Sequence, residues 1–141
     1  TTWNLYLDGA NVGTLAVGQP VRSDSIGWAA LATSLNSTGG TNGFFAGVID
    51  EARIWNVART GPQILAAKNL ELTSGSGLLG RWGLNEGTGT TAGDSVAPAE
   101  NGTLTNGPVW VSGAPFSSNA APNAPVVVSP FRMMRWNEWL D

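Results

Sequence analysis

Short apolar runs alternate with clusters of Gly, Asn, Asp, Ser and Thr along most of this chain, and this spacing predicts strands joined by turns. The opening residues predict a hairpin. Trp3, Leu5 and Leu7 would share one strand face, because successive side chains of a strand point to opposite faces. Asp8 and Gly9 follow directly and supply the residue pair that a tight hairpin turn favours.

Further strands are predicted at 26–35, 44–56 and 78–84. Two more short strands are predicted within 102–113, one on each side of an Asn106-Gly107 turn. Polar loops are predicted at 36–43 and 85–102. Residues 44–56 form the longest of these predicted strands. In it, Val48, Asp50, Ala52 and Ile54 should alternate with Ile49, Glu51, Arg53 and Trp55. The neighbours Asp50 and Glu51 would then point to opposite faces and could not form one acid/base pair.

One short helix is predicted over 61–68. Thr60 suits its N-cap position, where a hydroxyl oxygen accepts a hydrogen bond from a backbone N–H of the first turn. Pro62 suits the first turn, because the N–H that proline lacks would have no partner there. Many short strands, turn signals between them and a single helix predict an all-β fold, an antiparallel β-sandwich of the jelly-roll kind.

Composition narrows the classes of function. The 141 residues fit one domain and contain neither Cys nor His. Disulfides, zinc fingers and the Ser-His or Cys-His nucleophile pairs are thereby excluded. Only 12% of the residues are charged and the net charge is −3, so nucleic acid is not an expected partner. No run of 18 apolar residues occurs, so no membrane span is expected.

The chain divides into three predicted segments. Residues 1–116 form the β unit, residues 117–130 a linker rich in Pro, Ser and Ala, and residues 131–141 a tail rich in Trp and Met. The tail is interpreted either as a partner-binding peptide or docking helix, or as a cloning scar. Abundant Thr, Ser, Asn and Gly with few charges predict an extracellular or cell-surface protein of bacteria. The missing initiator Met predicts a mature or excised piece.

Three segments resemble the laminin-G-like, concanavalin A-like jelly-roll domains of bacterial secreted proteins. The strand that closes such domains, F-x-G-x-I-D-E-[VA]-R-I-[WY]-N, resembles GFFAGVIDEARIWN at 43–56. Their strand–turn L-Y-[VL]-D-G-x-x-V-G resembles WNLYLDGANVGT at 3–14. Their opening signature, W-x-[FL]-[DN]-E-G-[ST]-G-T-T-x-x-D-S followed by N-G-T-L, resembles residues 78–111.

The order of these segments is unusual. Residues 1–70 resemble the back half of a domain, whereas residues 78–113 resemble an opening segment, so the closing motif precedes the opening one. The resemblance therefore implies a concanavalin A-like sandwich that is partial or rearranged. Half a sandwich exposes apolar faces and sheet edges, and we expect the chain to associate with itself.

Aromatic and arginine side chains are the candidate ligand contacts. Phe44 follows a Gly-rich loop and is the best candidate for an exposed ring, and Trp28 and Tyr6 are further rings that could stack on a sugar. Arg53 could hold a sugar or a carboxylate. The alternative is that the aromatic rings fill the core and that Arg53 and Arg81 pair with glutamates across strands.

The resemblance also implies a structural calcium site, at which the Asp of the I-D-E motif and the E-G-x-G turn meet. In this chain these positions are Asp50 and Glu86 with Gly87, and we add Asp94 as a further carboxylate. Ca²⁺ prefers carboxylate and carbonyl oxygens of this kind. The alternative is that Asp50 caps backbone N–H groups and pairs with a neighbouring arginine.

These patterns support three hypotheses of function. The missing catalytic chemistry favours a non-catalytic extracellular module that binds a glycan or a protein partner. The second hypothesis is a hydrolase that activates water with a metal ion held by carboxylates alone, which requires Asp50, Glu51, Glu86 and Asp94 to converge in an open cleft. The third is a structural β-unit that assembles with copies of itself.

Overall fold

The computed structural model describes residues 1–19, 29–36 and 38–113, together with the backbone of residues 117–118 and 132–135. Its strands are β1 Thr2–Leu7, β2 Ala10–Ala16, β3 Thr33–Leu35, β4 Thr41–Phe44, β5 Val48–Ile49, β6 Ala52–Trp55, β7 Leu70–Glu71, β8 Leu78–Trp82, β9 Thr91–Ala92, β10 Gly102–Thr103, β11 Val109–Ser112, β12 Ser117–Ser118 and β13 Arg132–Arg135. Its helix is α1, Gly61–Ala67.

The strands pair mostly with antiparallel neighbours, which confirms the predicted all-β class. The pairs β1–β2, β3–β4, β6–β8 and β9–β10 are antiparallel two-stranded sheets. A three-stranded sheet has β13 between β5 and β11. Among the strand pairs that the structure describes, only β7–β12 is parallel.

The helix α1 confirms the predicted helix and its N-cap. The Thr60 hydroxyl accepts a hydrogen bond from the Gln63 N–H at 3.4 Å, and the Gln63 side-chain carbonyl accepts one from the Thr60 N–H at 2.9 Å. This reciprocal capping box satisfies two N–H groups that the first turn leaves without helical partners. Pro62 lies in that turn, as expected.

The prediction of one continuous strand over 44–56 is wrong. β4 ends at Phe44, and two short strands, β5 and β6, follow it. Glu51 has a φ of 51°, in the left-handed region, which extended backbone cannot contain. The alternation of side chains is therefore interrupted between Asp50 and Ala52, and Asp50 and Glu51 occupy a connection between strands.

The strands predicted within 102–113 exist, but they pair with other partners than each other. Asn106 and Gly107 both have positive φ, 60° and 67°, which confirms the predicted turn. β10 nevertheless pairs with β9, and β11 pairs with β13. The strand predicted over 26–35 is confirmed only at β3, and residues 26–28 lie outside the described part.

A small apolar core lies where β5, β8, β9 and β11 meet. Leu84 is 1% exposed and packs with Ala92, and the half-buried Ile49, Trp82 and Trp110 surround them. Many other large apolar side chains are exposed, among them Trp3, Leu5, Leu7 and Leu15 of the first hairpin. Few apolar side chains of the described residues are thus fully buried, and Leu78 is the one buried apolar residue besides Leu84 and Ala92.

The turn of the β1–β2 hairpin packs tightly on α1. Asp8 and Gly9 have φ values of 52° and 83°, the conformation of the predicted tight turn. A Cβ atom added to Gly9 would lie 2.6 Å from Leu65 Cβ and 2.8 Å from Gly61 O. Lys68 Nζ lies 3.0 Å from Asp8 Oδ1 and joins the same two elements. Glycine is therefore required at this contact both for its φ and for its small size.

Candidate ligand-binding groove

The β3–β4 hairpin forms one wall of an open groove, and Asn36 shapes its loop. Asn36 Oδ1 accepts hydrogen bonds from the N–H groups of Thr38, at 2.9 Å, and Gly40, at 2.8 Å. The Asn36 N–H donates to Gly40 O at 2.9 Å. A side chain that bonds the backbone a few residues ahead tightens such turns. The turn sets the strand register, in which Thr33 lies opposite Phe44.

The groove lies between this hairpin and β5 and has a volume of about 740 Å³. Its aromatic side chains are Phe44 and Phe45, and each is 51% exposed. Its polar side chains are those of Thr33, Ser34, Asn42 and Asp50. Apolar rings with a few polar groups are the usual lining of a small-ligand site.

Hydroxyl and amide groups line the groove. Thr33 Oγ1 donates to Gly43 O at 2.7 Å, and Ser34 Oγ donates to the carbonyl oxygen of Asn42. Each hydroxyl oxygen therefore keeps lone pairs that can accept a hydrogen bond from a ligand. Asn42 is exposed, so its side-chain amide can both donate to a ligand and accept from it.

The structure places the predicted ligand residues in different locations. Phe44 lines the groove. Tyr6 is half-buried beside α1, where a Cβ on Gly61 would lie 3.3 Å from its ring, and Arg53 lines a separate, smaller cavity. Trp28 lies outside the described residues. Of the described candidates, only Phe44 belongs to the groove.

Sequence reasoning missed Asn42 and Phe45, which belong to the groove, and Asn36, which shapes it. One signal was present in the spacing of Phe45 and Gly47. A Cβ on Gly47 would lie 2.5 Å from Phe45 Cε1, so the ring covers a position that only glycine leaves open. The Phe-x-Gly spacing of the closing motif therefore fixes an exposed aromatic ring.

Beside the groove, Glu51 and Arg81 form a buried ion pair between the β5–β6 connection and β8. Arg81 Nε donates to Glu51 Oε2 at 3.1 Å, and Arg81 Nη2 donates to Glu51 Oε1. Arg53 Nε lies 3.6 Å from the same carboxylate. Glu71 Oε1 lies 4.0 Å from Arg81 Nη2 and accepts a bond from the Asn85 amide at 2.9 Å. Arg53 and Arg81 thus make the ion pairs with Glu51 that were the predicted alternative to ligand contacts.

Asp94 is a buried carboxylate that organises the β9–β10 connection. Its Oδ1 accepts hydrogen bonds from the N–H groups of Arg81 and Val96, both at 2.9 Å, and its Oδ2 accepts one from the Glu100 N–H at 3.2 Å. Burial alone would raise the pKa of Asp94. The three N–H donors favour the charged form more strongly and lower that pKa below its ordinary value.

Two of the predicted calcium ligands, Asp94 and Glu86, accept hydrogen bonds from backbone N–H groups. Asp94 accepts three backbone bonds, and Glu86 Oε1 accepts a bond from the Gly93 N–H at 2.7 Å. The carboxylate oxygens of Asp50 are buried. Across the described ranges, no three acidic side chains come close enough together to hold a metal ion. Calcium binding by Asp50, Glu86, Gly87 and Asp94 stays a prediction, which melting with and without a chelator would test.

Antiparallel strand pairs and one capped helix define an all-β domain, and an open groove with two aromatic side chains lies beside its β3–β4 hairpin. Residues 1–65 match the Laminin_G_3 family model, the concanavalin A-like lectin/glucanases superfamily. This match confirms the laminin-G-like resemblance of that part of the chain. It ends before the motif at 78–113, so the rearranged motif order stays a prediction. No curated protein and no solved structure matches the chain.

Laminin-G-like domains commonly mediate binding and are typically extracellular. The helix that the structure describes is too short to cross a bilayer, and the described ranges include no helix that could.

Proposed function

We propose that the chain is a non-catalytic binding module of the bacterial cell surface and that it holds a glycan in the groove of the β3–β4 hairpin. The observation that carries this proposal is the exposed Phe44 ring beside the Asn42 amide and the Thr33 and Ser34 hydroxyls. An aromatic ring can cover the apolar C–H face of a sugar, while neighbouring amide and hydroxyl groups bond to its hydroxyls.

The hydrolase hypothesis has less support from the arrangement of carboxylates. It requires Asp50, Glu51, Glu86 and Asp94 to converge in an open cleft. Glu51 is buried against Arg81, and Asp94 is buried among backbone N–H donors. Neither of these two residues lines the groove.

Titration of neutral oligosaccharides by calorimetry tests the proposal. Phe44→Ala should weaken binding about tenfold, because a well-placed aromatic contact contributes on the order of 1 kcal/mol or more. Asn42→Ala should weaken binding by a similar factor through lost hydrogen bonds. Leu79→Ala is the matched control, since Leu79 is an exposed apolar residue that does not line the groove.

Retained affinity in both groove variants would place the glycan elsewhere. Binding of a protein but of no saccharide, again lost on Phe44→Ala, would keep the groove as the site and replace the glycan by a protein partner.

A further inference from the structure

A second cavity lies between β6 and α1 and shares no lining residue with the groove. It has a volume of about 140 Å³ and is lined by Arg53, Trp55, Arg59, Ile64, Ala67 and Lys68. The chain has only seven Lys and Arg residues, and three of them line this one space. Such a concentration of positive charge is unusual for a chain whose net charge is −3.

Two of these cations are only weakly neutralised by protein groups. The Arg59 guanidinium lies 4.3 Å from the centre of the Trp55 ring and forms no ion pair within the described residues. Lys68 pairs with Asp8, but the Asp8 side chain is 70% exposed. Pairs this exposed contribute little free energy, so Lys68 can exchange Asp8 for another anion.

The third cation, Arg53, is half-buried and keeps donor capacity. Its Nη1 and Nη2 atoms donate to Ala67 O at 3.4 Å, and its Nε donates to Glu51 O at 3.3 Å, all at the long end of the hydrogen-bond range. Burial lowers the pKa of Arg53, the charge of Glu51 opposes this, and the charges of Arg81 and Arg59 lower it further. An anion in the cavity would relieve the repulsion among the cations.

We propose that this cavity is a binding site for a single oxyanion, a carboxylate or sulfate group carried by an acidic ligand. Guanidinium groups bind such oxyanions with two parallel hydrogen bonds, and Lys68 adds a point charge. The cavity is smaller than the sites of roughly 300 Å³ or more that hold drug-sized ligands, and this size suits a single oxyanion group. Trp55 and Ile64 provide an apolar wall that strengthens the charge interactions.

Titration of the whole chain with galacturonate, inorganic sulfate and neutral galactose, followed by amide NMR shifts and calorimetry, tests this site. Galacturonate, sulfate or both should shift the amides of Ile64, Ala67 and Lys68, and galactose should not. Arg59→Gln and Lys68→Gln should each weaken anion binding about tenfold. Asn106→Asp changes the net charge by the same amount at an exposed turn outside the cavity and should leave binding unchanged.

The two anions distinguish a ligand that carries a carboxylate from one that carries a sulfate group. Galacturonate binding alone assigns a carboxylate ligand, and sulfate binding alone assigns a sulfated one. Equal affinity for galacturonate and galactose, or unchanged anion affinity in both cavity variants, would overturn the proposal. The site does not depend on the groove: Phe44→Ala should leave anion binding intact, and Arg59→Gln should leave neutral-saccharide binding intact.

Discussion

Glu51 and Arg81 form a buried pair that joins the β5–β6 connection to β8, a strand distant in sequence. Both Glu51 carboxylate oxygens contact the Arg81 guanidinium, and both side chains are almost fully buried. Both oxygens of this carboxylate are thus engaged by a side chain of another element. Glu51 therefore has a structural role.

Glu51→Gln should lower the free energy of unfolding by about 3 kcal/mol, because it removes the nearest counter-charge of the buried Arg81 guanidinium. Urea denaturation followed by tryptophan fluorescence measures this change. Glu100→Gln makes the same chemical change at an exposed side chain and should alter stability by less than about 0.5 kcal/mol. Equal effects of the two substitutions would contradict the structural role of the pair.

Asp94 should make the fold sensitive to acid. Its pKa in the folded chain lies below the ordinary value of 3.8, so its charged form stabilises the fold. That contribution is complete above about pH 4 and is lost as the pH falls through the lowered pKa. The free energy of unfolding, measured from pH 6 to pH 2, should fall less steeply below pH 4 in Asp94→Asn than in the unsubstituted chain. Asp94→Asn should also be the less stable of the two proteins at neutral pH. Parallel acid curves for the two proteins would refute this role.

At the scale of elements, the β1–β2 turn packs on α1. Because of this contact, replacing Gly9 by alanine should cost more stability than replacing Gly107, which lies in an exposed turn. Gly9→Ala and Gly107→Ala both place alanine at a positive φ, which costs about 1–2 kcal/mol. A Cβ at position 107 meets nothing within 4 Å, whereas one at position 9 would lie 2.6 Å from Leu65 Cβ. Thermal unfolding should show that Gly9→Ala is the more destabilising by at least about 1 kcal/mol. Similar losses would indicate that hairpin and helix are not in contact.

Elements that depend on local interactions were predictable from the sequence. The Asp8-Gly9 turn needs only its own two residues, and the helix needs only the Thr60 and Gln63 cap with Pro62 in the first turn. Both were found at the predicted positions.

Features that depend on distant residues were not predictable. The left-handed Glu51, which divides the strand predicted over 44–56, is held by Arg81 from β8. The polar groups of the groove come together only through the register of β3 with β4, which is why Phe44 was found and Asn42 was missed. The pattern of apolar and polar residues within one segment does not show which distant strand or side chain that segment will contact.

At the scale of the whole molecule, the described residues leave much apolar surface exposed. Leu5 and Leu15 of the first hairpin are 67% and 62% exposed, and they lie on the same hairpin face as Trp3. Burying such surface gains about 25 cal/mol per Å². The opposite face is polar, where Asn4 Oδ1 accepts bonds from Asn11 and Thr14. The hairpin thus has one face suited to contact with another apolar surface.

We therefore predict that the chain associates with itself at micromolar concentration, and sedimentation velocity measures this directly. Replacing both Leu5 and Leu15 by Lys should shift the population toward monomer, because charged side chains oppose burial of that face. Leu79→Lys, at an exposed position of β8, is the control. A folded monomer in the unsubstituted chain would contradict the prediction.

The ion pair between Glu51 and Arg81 also has a kinetic consequence, because the two residues are 30 positions apart. The β1–β2 and β3–β4 hairpins close short loops and can form within microseconds, whereas the β6–β8 ladder must first close a longer loop. We therefore predict that the pair forms late, after the barrier to folding has been crossed. Loss of the Glu51 charge should consequently accelerate unfolding many-fold while leaving the refolding rate almost unchanged.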